Sequence, residues 1–328
     1  MNLRLLLPLA ALLLSGCETS TMDTLIPNSD LTRETMGVYE RIFWWTTLLF
    51  VGVQGALIYI AFRFRATGNE KGNPEQVHGN TQLELTWTIA PVFILLHISI
   101  PTVAYIFKHQ AQPSADALEI NAVGKQWWFA FEYPDDGVVT ANEIHIPLGR
   151  QVVVRLQSDN VMHSFFVPQL AAKRDMLPGH VNSILFTPEK VGRYLGQCAE
   201  YCGDSHALMK FQVVVDTPED FARWLDAQRA PADTTSADAV AGFNAFSSAG
   251  CVACHAIGGT TAAANIGPNL THVGSRARIA SGILDNNQAN LVNWIRRPDV
   301  VKPGSKMPNL NVSEETANSI ATYLLSLK

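Results

Sequence analysis

The chain has 328 residues, enough for two or three modules, with 24 Lys and Arg against 29 Asp and Glu. Charged residues make up only 16%, against roughly 25% in soluble proteins, which points to long charge-free stretches. A formal net charge of −5 with no basic stripe argues against nucleic acid as a partner, and five cysteines cannot close a disulfide framework.

Residues 1–16 read as an export leader: one cation at Arg4, an apolar run over Leu5–Leu14, then small residues. Leu14-Ser15-Gly16-Cys17 resembles the bacterial lipoprotein box, which implies a lipidated Cys17; an ordinary cleavage site with a spare thiol is the alternative. Residues 17–107 then hold an N-terminal segment and a transmembrane hairpin. Ile42–Phe62 is 21 residues without a charge, and Leu85–Phe107 is 23 residues whose only ionisable group is His97. Either could cross about 30 Å of hydrocarbon as a helix. Trp44, Trp45, Tyr59, Trp87 and Tyr105 lie near the span ends, as interfacial aromatics do. Arg63, Arg65 and Lys71 make the intervening loop cytoplasmic by the positive-inside rule, so everything after Lys108 faces the exported side. Pro91 and Pro101 should kink the second span or be covered by a neighbour. His97 suits a neutral ring against a partner helix better than a ligand. Glu84, at the cytoplasmic mouth, suits a helix start favoured by the macrodipole.

Residues 108–228 read as all-β. Runs such as Glu143–Ile146, Gln151–Leu156, Val161–Val167, Ile184–Phe186 and Phe211–Val215 alternate with Pro- and Gly-rich turns, as in a sandwich or barrel. Thr217-Pro218 starts a short closing helix. Within this module Cys198, Cys202, His206 and Met209 fall in twelve residues, with His163 35 residues upstream of Cys198. Two thiolates, two imidazoles and a thioether suit copper electron transfer, because soft sulfur stabilises the reduced ion. A Cys198–Cys202 disulfide would leave His206 and Met209 unexplained, and zinc has little use for Met.

Residues 229–238 have a linker's composition, and residues 239–328 form the last module. Cys251-Val-Ala-Cys254-His255 is the c-type haem attachment signature. A C-x-x-C redox pair is the alternative, but the βαβ context it needs is absent. Phe243 and Phe246 precede the signature at helical spacing, and Ser313-Glu314-Glu315 opens a final helix through Ile320, Tyr323 and Leu324. The haem module carries 7 Lys and Arg against 5 Asp and Glu from Ser236 on, and Lys108–Thr235 carries 11 against 16. Opposite signs would favour docking of the two modules, weakly where exposed.

The copper cluster, Met162-His163-Ser164-Phe165, Gln126-Trp127-Trp128 and the two spans together resemble subunit 2 of the haem–copper cytochrome c oxidases over Thr35–Asp220. The resemblance implies a cupredoxin-like Greek-key barrel with a binuclear copper centre, CuA, held by His163, Cys198, Cys202, His206, Met209 and the Glu200 carbonyl. It implies a magnesium at the Glu200 carboxylate, electrons entering at Trp127, and Glu84 at the entrance of a proton channel. Ala239–Lys328 resembles a small all-α class I cytochrome c, in which covalent haem c takes His255 and Met307 as axial ligands and the Pro268 carbonyl supports His255. The implied partners are subunit 1, with haem a and copper, subunit 3, and a cytochrome c or quinol:cytochrome c reductase as donor. Trp127-Trp128-Phe129 departs from the family's usual Trp-Tyr-Trp, and His180 stands where many relatives have Arg. Two other classes stay open: a copper-dependent reductase, for which no second His-rich set remains, and a non-catalytic copper and haem carrier or metal-binding protein.

Overall fold

The computed structural model describes residues 22–66, 68, 72, 76, 78–110, 112–232 and 236–328. The leader, Cys17 and Lys71 lie outside the described residues. Among the described residues two compact units form: Arg33–Gln112, and residues 22–32 together with Pro113–Lys328.

The first unit is a helical hairpin of α1 (Asp30–Arg63) and α2 (Thr81–His109). Both are long and apolar enough to span a bilayer, and their most apolar windows bury nothing within the protein. Phe62, Phe93 and Phe107 are all exposed, as lipid- or subunit-facing side chains must be. The two helices meet through the Thr35 and Tyr105 hydroxyls at 2.7 Å and through Glu34, which pairs with Lys108 and with His109. His97 turns its ring edge-on to Trp45 of α1 at 6.0 Å between centroids, the structural role expected of it. α2 runs unbroken through Pro91 and Pro101, each of which costs the carbonyl one turn earlier its usual donor.

In the second unit, ten strands build a β-sandwich: β1 (Leu118–Lys125), β2 (Trp128–Tyr133), β3 (Val138–Ala141), β4 (Glu143–Pro147), β5 (Val152–Ser158), β6 (His163–Val167), β7 (Ala171–Met176), β8 (Asn182–Phe186), β9 (Gly192–Cys198) and β10 (Lys210–Asp216). One sheet runs β3-β2-β1-β5-β8 and the other β4-β10-β9-β6-β7. β1–β5 and β4–β10 pair in parallel and the remaining neighbours antiparallel. β1 alternates buried and half-buried residues along its whole length, the period-two pattern that a sandwich face demands. Between the sheets, Phe129, Phe131 and Phe165 surround Phe211 at 4.7, 5.7 and 4.9 Å between ring centroids. Burial of each such ring is worth about 2–3 kcal/mol. Helix α3 (Pro218–Arg229) follows, its first turn closed by Thr217 Oγ1 accepting from the Asp220 amide at 3.2 Å.

The C-terminal module packs α4 (Ala237–Ser248) and α5 (Gln288–Arg296) on α7 (Glu314–Ser326), with the short α6 (Pro298–Val301) and a two-stranded ribbon β11 (Arg278–Ile279) and β12 (Leu284–Asp285) beside them. Phe246, Leu291, Ile295, Ile320 and Leu324 form its core. Ser236, Asn287 and Ser313 each cap a helix through the side chain. An all-α module with its helices folded about one apolar centre matches the sequence expectation.

A polar cluster joins the β-sandwich to this module. His145 Nδ1 lies 2.6 Å from Asp216 and its Nε2 3.4 Å from Glu143, while its ring stacks on Trp224 at 4.4 Å. Glu143 also accepts from the Ala277 amide of the C-terminal module at 3.2 Å and pairs with Arg193. Burial pulls the His145 pKa down, but hydrogen bonds and charge from Asp216 and Glu143 outweigh it, and the pKa is raised above 6.5. Burial likewise opposes ionisation of Glu143, yet His145 and the Ala277 amide leave its pKa lowered below 4.5. A raised His contributes stability below its unfolded value and loses it as pH rises through the folded one. A lowered Glu contributes above its unfolded value and loses it on acidification. The cluster therefore stabilises fully between about pH 4.5 and 6.5. We expect the thermal midpoint to fall on either side of that window and to flatten above it in His145→Gln; an unchanged profile in that variant would assign the pH response elsewhere.

Candidate functional site: a sulfur cluster beside a haem cavity

The loop from β9 to β10 carries the first group of donors. It is pinned at its base by the Cys198 amide donating to the Met209 carbonyl at 2.9 Å, and a single 3-10 turn at His206–Leu208 brings it back. Cys198, Cys202 and Met209 are buried and His163 is fully so. Cys198 Sγ lies 3.8 Å from Cys202 Sγ, 3.9 Å from His163 Nδ1 and 3.2 Å from the Glu200 carbonyl oxygen. Cys202 Sγ lies 3.5 Å from His206 Nδ1 and 3.9 Å from Met209 Sδ. All five side chains predicted from the sequence and the Glu200 carbonyl thus come together. Both thiols are free, far outside the S–S bond length of about 2.05 Å. Their separation is less than twice a metal–sulfur bond of about 2.3 Å, so one ion can touch both sulfurs. Hydrogen bonds from Cys202 and His163 hold the Cys198 thiol well below the usual thiol range, despite burial. Close room is kept for His163: a Cβ on Gly124 would stand 2.7 Å from its ring. This soft, dry donor set fits copper.

The second group lies in the helical module. Cys251, Cys254, His255 and Met307 line a cavity of about 640 Å³, large enough for a flat macrocycle. His255 Nδ1 meets the Pro268 carbonyl at 2.8 Å, which leaves Nε2 as the free ring nitrogen. Burial lowers the pKa of His255, favouring the neutral ring a ligand needs. Gly267 supplies space, since a Cβ there would lie 2.6 Å from His255 Cε1. Two attachment thiols, a neutral imidazole and a thioether around one cavity fit haem c.

Trp127 belongs to both places. It is 8% exposed, lines the haem cavity together with Trp128, and donates from its indole Nε1 to the Cys202 carbonyl at 2.9 Å. Gln126 donates to the same oxygen at 2.8 Å. The modules are joined at this point by buried hydrogen bonds rather than by their opposite net charges. Ser281 and Lys302 of the helical module reach Trp127, the Lys210 amide donates to the Ser281 carbonyl at 3.1 Å, and Ser205 donates to the Pro303 carbonyl. Burial depresses Lys302 to about 7.

Other predicted residues stand apart from these centres. The Glu200 carboxylate pairs with Lys173 at 3.2 Å, and no group of acids gathers around it among the described residues. Glu84 accepts from the Asn80 amide at 3.2 Å while the Asn80 side chain accepts from Gln82 and Leu83, a reciprocal cap at the start of α2. Lys302, Ser281 and the Glu143–His145–Asp216 cluster were missed by sequence reasoning; in one dimension each is an ordinary polar residue in a turn or strand.

A buried thiolate–imidazole–thioether pocket in a β-sandwich, set against a C-x-x-C-H helical module, defines the class: a membrane-anchored one-electron carrier. Family models give the rest. The transmembrane domain of cytochrome c oxidase subunit II matches residues 26–105, its periplasmic domain 138–217, and cytochrome c 239–328. Cytochrome c oxidase subunit 2 of Bacillus subtilis is 33% identical over 351 aligned positions, covering 100% of this chain and 98% of the relative. That of Alkalihalophilus pseudofirmus is 35% identical over 288, covering 86% and 83%. The periplasmic domain of subunit II of cytochrome oxidase from Bradyrhizobium japonicum is 29% identical with a TM-score of 0.35, over 36% of this chain and 97% of that one. The chain belongs to the cytochrome c oxidase subunit 2 family. It is a two-span membrane subunit of a haem–copper terminal oxidase, an oxidoreductase, with a periplasmic β-module and a fused cytochrome c module.

Proposed function

We propose that this subunit takes in electrons for a bacterial terminal oxidase, passing them from its own haem c, or from an external cytochrome c, to CuA and on to haem a in subunit 1. Oxygen is reduced to water there, coupled to proton translocation. The observation that carries this reading is Trp127, which lines the haem cavity and hydrogen-bonds the sulfur loop. Cys198 and Cys202, with His163, His206, Met209 and the Glu200 carbonyl, would hold the copper pair. Cys251 and Cys254 would anchor haem c and His255 and Met307 would ligate it, with the Pro268 carbonyl orienting His255. When bound, these groups supply one-electron exchange; methionine ligation raises the haem potential, as a donor to copper requires. Fusion makes the transfer intramolecular.

Subunit 1 is the partner that holds the oxygen chemistry, subunit 3 completes the complex, and a cytochrome c or quinol:cytochrome c reductase feeds it. Cys17 carries the lipid. Magnesium at Glu200 requires Lys173 to give way. Glu84 serves both as cap and as proton-channel entrance, and Glu84→Gln separates these by slowing proton uptake while sparing the copper spectra.

The deciding measurement is a copper and haem count with EPR on the full-length chain, purified after haem c maturation. About two coppers and one haem per chain, with the unpaired electron split by both copper nuclei, is expected of this sulfur-rich site. One copper, or zinc in its place, would overturn the ligand assignment. Copurification with a haem a-containing multispan subunit excludes a free-standing carrier.

A further inference from the structure

A second set of groups grips Trp127 from the haem module. Lys302 lies just beyond α6 and is 3% exposed. Its Nζ donates to the Trp127 carbonyl at 2.5 Å and to Ser281 Oγ at 2.6 Å. Ser281 Oγ reaches the same carbonyl at 2.8 Å, so one oxygen is met by an ammonium and a hydroxyl. Ser281 sits in a stretch, Ala280-Ser281-Gly282, whose φ angles are 52°, 63° and 76°. Non-glycine residues adopt that region only where their surroundings hold them there. Here the Lys210 amide, one residue past Met209, holds the Ser281 carbonyl.

A lysine is rarely buried without a carboxylate, because losing its hydration is costly. Among the described residues no carboxylate bears on Lys302, and the Trp127 carbonyl and Ser281 Oγ take its place. Trp127 is thus fixed at both ends. Its carbonyl is held by the haem module, and its indole Nε1 is held by the Cys202 carbonyl at 2.9 Å. Between these two points the ring borders the cavity that contains His255 and Met307.

We propose that Lys302 is a positioning residue for electron transfer: together with Ser281 it clamps the Trp127 backbone so that the indole stays between the haem cavity and the sulfur loop. This rests on the two-centre reading above. The step served moves one electron, lost by Fe(II) haem c and gained by the mixed-valence copper pair to give two Cu(I).

The test uses the full-length chain in three variants. Lys302→Met removes the ammonium, Ser281→Ala removes the hydroxyl, and Glu143→Ala removes a different contact between the modules, that to the Ala277 amide. Two readouts are taken. One is the rate of copper reduction after flash reduction of haem c. The other, on copper-free chain labelled with 5-fluorotryptophan, is the fluorine resonance that Trp127→Phe deletes. Lys302→Met should slow transfer roughly tenfold or more, as misplacement of a positioned group by about an ångström or more does, and shift or broaden the Trp127 resonance. Both reduction potentials and the copper EPR should stay as in wild type. Ser281→Ala should act in the same direction, less strongly, and Glu143→Ala should leave both readouts unchanged. A Lys302→Met rate within about twofold of wild type, or Glu143→Ala reproducing its effects, would overturn the proposal and reduce Lys302 to a docking contact. If Lys302→Met fails to fold, an unaltered rate and resonance in Ser281→Ala overturns it instead. No transfer at all in wild type would remove the two-centre reading, and this inference with it.

Discussion

Replacing Cys202 with serine is expected to cut bound copper from about two per chain to one or none and to erase the EPR pattern of an electron shared by two nuclei. Cys202 Sγ lies within 3.5–3.9 Å of three other donors in the pocket, His206, Met209 and Cys198. A serine hydroxyl keeps almost the same volume, so the buried loop and the sandwich behind it should persist. What it lacks is a soft, readily ionised donor: it stays protonated at neutral pH and binds a reduced copper ion poorly. If Cys202 bridges the two coppers, its loss would remove a ligand from both at once. Met209→Leu makes the contrast, because the thioether approaches only one thiol. That variant should keep its copper and show a changed reduction potential. Metal analysis with EPR on the two variants decides the matter. Full copper with an unaltered spectrum in Cys202→Ser would mean that the two sulfurs do not bridge.

Gly267→Ala should strike the haem centre just as hard without touching any donor atom. The added methyl carbon would sit 2.6 Å from His255 Cε1, 2.9 Å from Nδ1 and 3.1 Å from Nε2, so it meets one edge of the imidazole along its length. The ring must turn or withdraw, and in doing so it loses the 2.8 Å bond from Nδ1 to the Pro268 carbonyl. Cys251 and Cys254 are unaffected, so covalent attachment should proceed and the haem count should remain near one. Disturbing the support of a metal-bound histidine typically costs about 10–100-fold in metal affinity or activity. We expect oxidase turnover fed through haem c to fall by roughly that factor, with loss of the low-spin His/Met haem signature. The copper EPR, some distance away in the sandwich, serves as an internal control. Retention of the low-spin signature would show that His255 is not held where the 2.8 Å bond places it.

The parts of the molecule that could be read from one dimension are those whose chemistry is local. Cys251, Cys254 and His255 occupy five consecutive positions, Cys198 to Met209 twelve, and each span is a single uninterrupted apolar run. Helix starts at Thr217 and Ser313 were equally legible, since a cap involves residues three apart. His163 could be joined to its cluster only by its chemistry, as the second imidazole such a donor set wants, because β6 reaches β9 by strand pairing across 35 residues. Glu84 shows the opposite case. Its motif suggested a channel, while its position one turn into α2 also gives it a capping bond that periodicity alone did not separate. The contacts that unite the two modules were beyond reach. Lys302 meets Trp127 across 175 residues, Ser281 meets it across 154, and the Ala277 amide meets Glu143 across 134. Nothing in the neighbourhood of a lysine before Pro-Gly distinguishes a buried ammonium from a solvated one.

The burial of Trp127 has a kinetic meaning. Separate redox proteins must first collide and orient, and that encounter makes their rates depend on concentration and salt. Here the indole already lies against the cavity on one side and the sulfur loop on the other. Exchange between the two centres would therefore be first-order, indifferent to dilution and to ionic strength. With only 8% of Trp127 open to solvent, an outside donor meets little of that ring, whereas the haem module already lies against it.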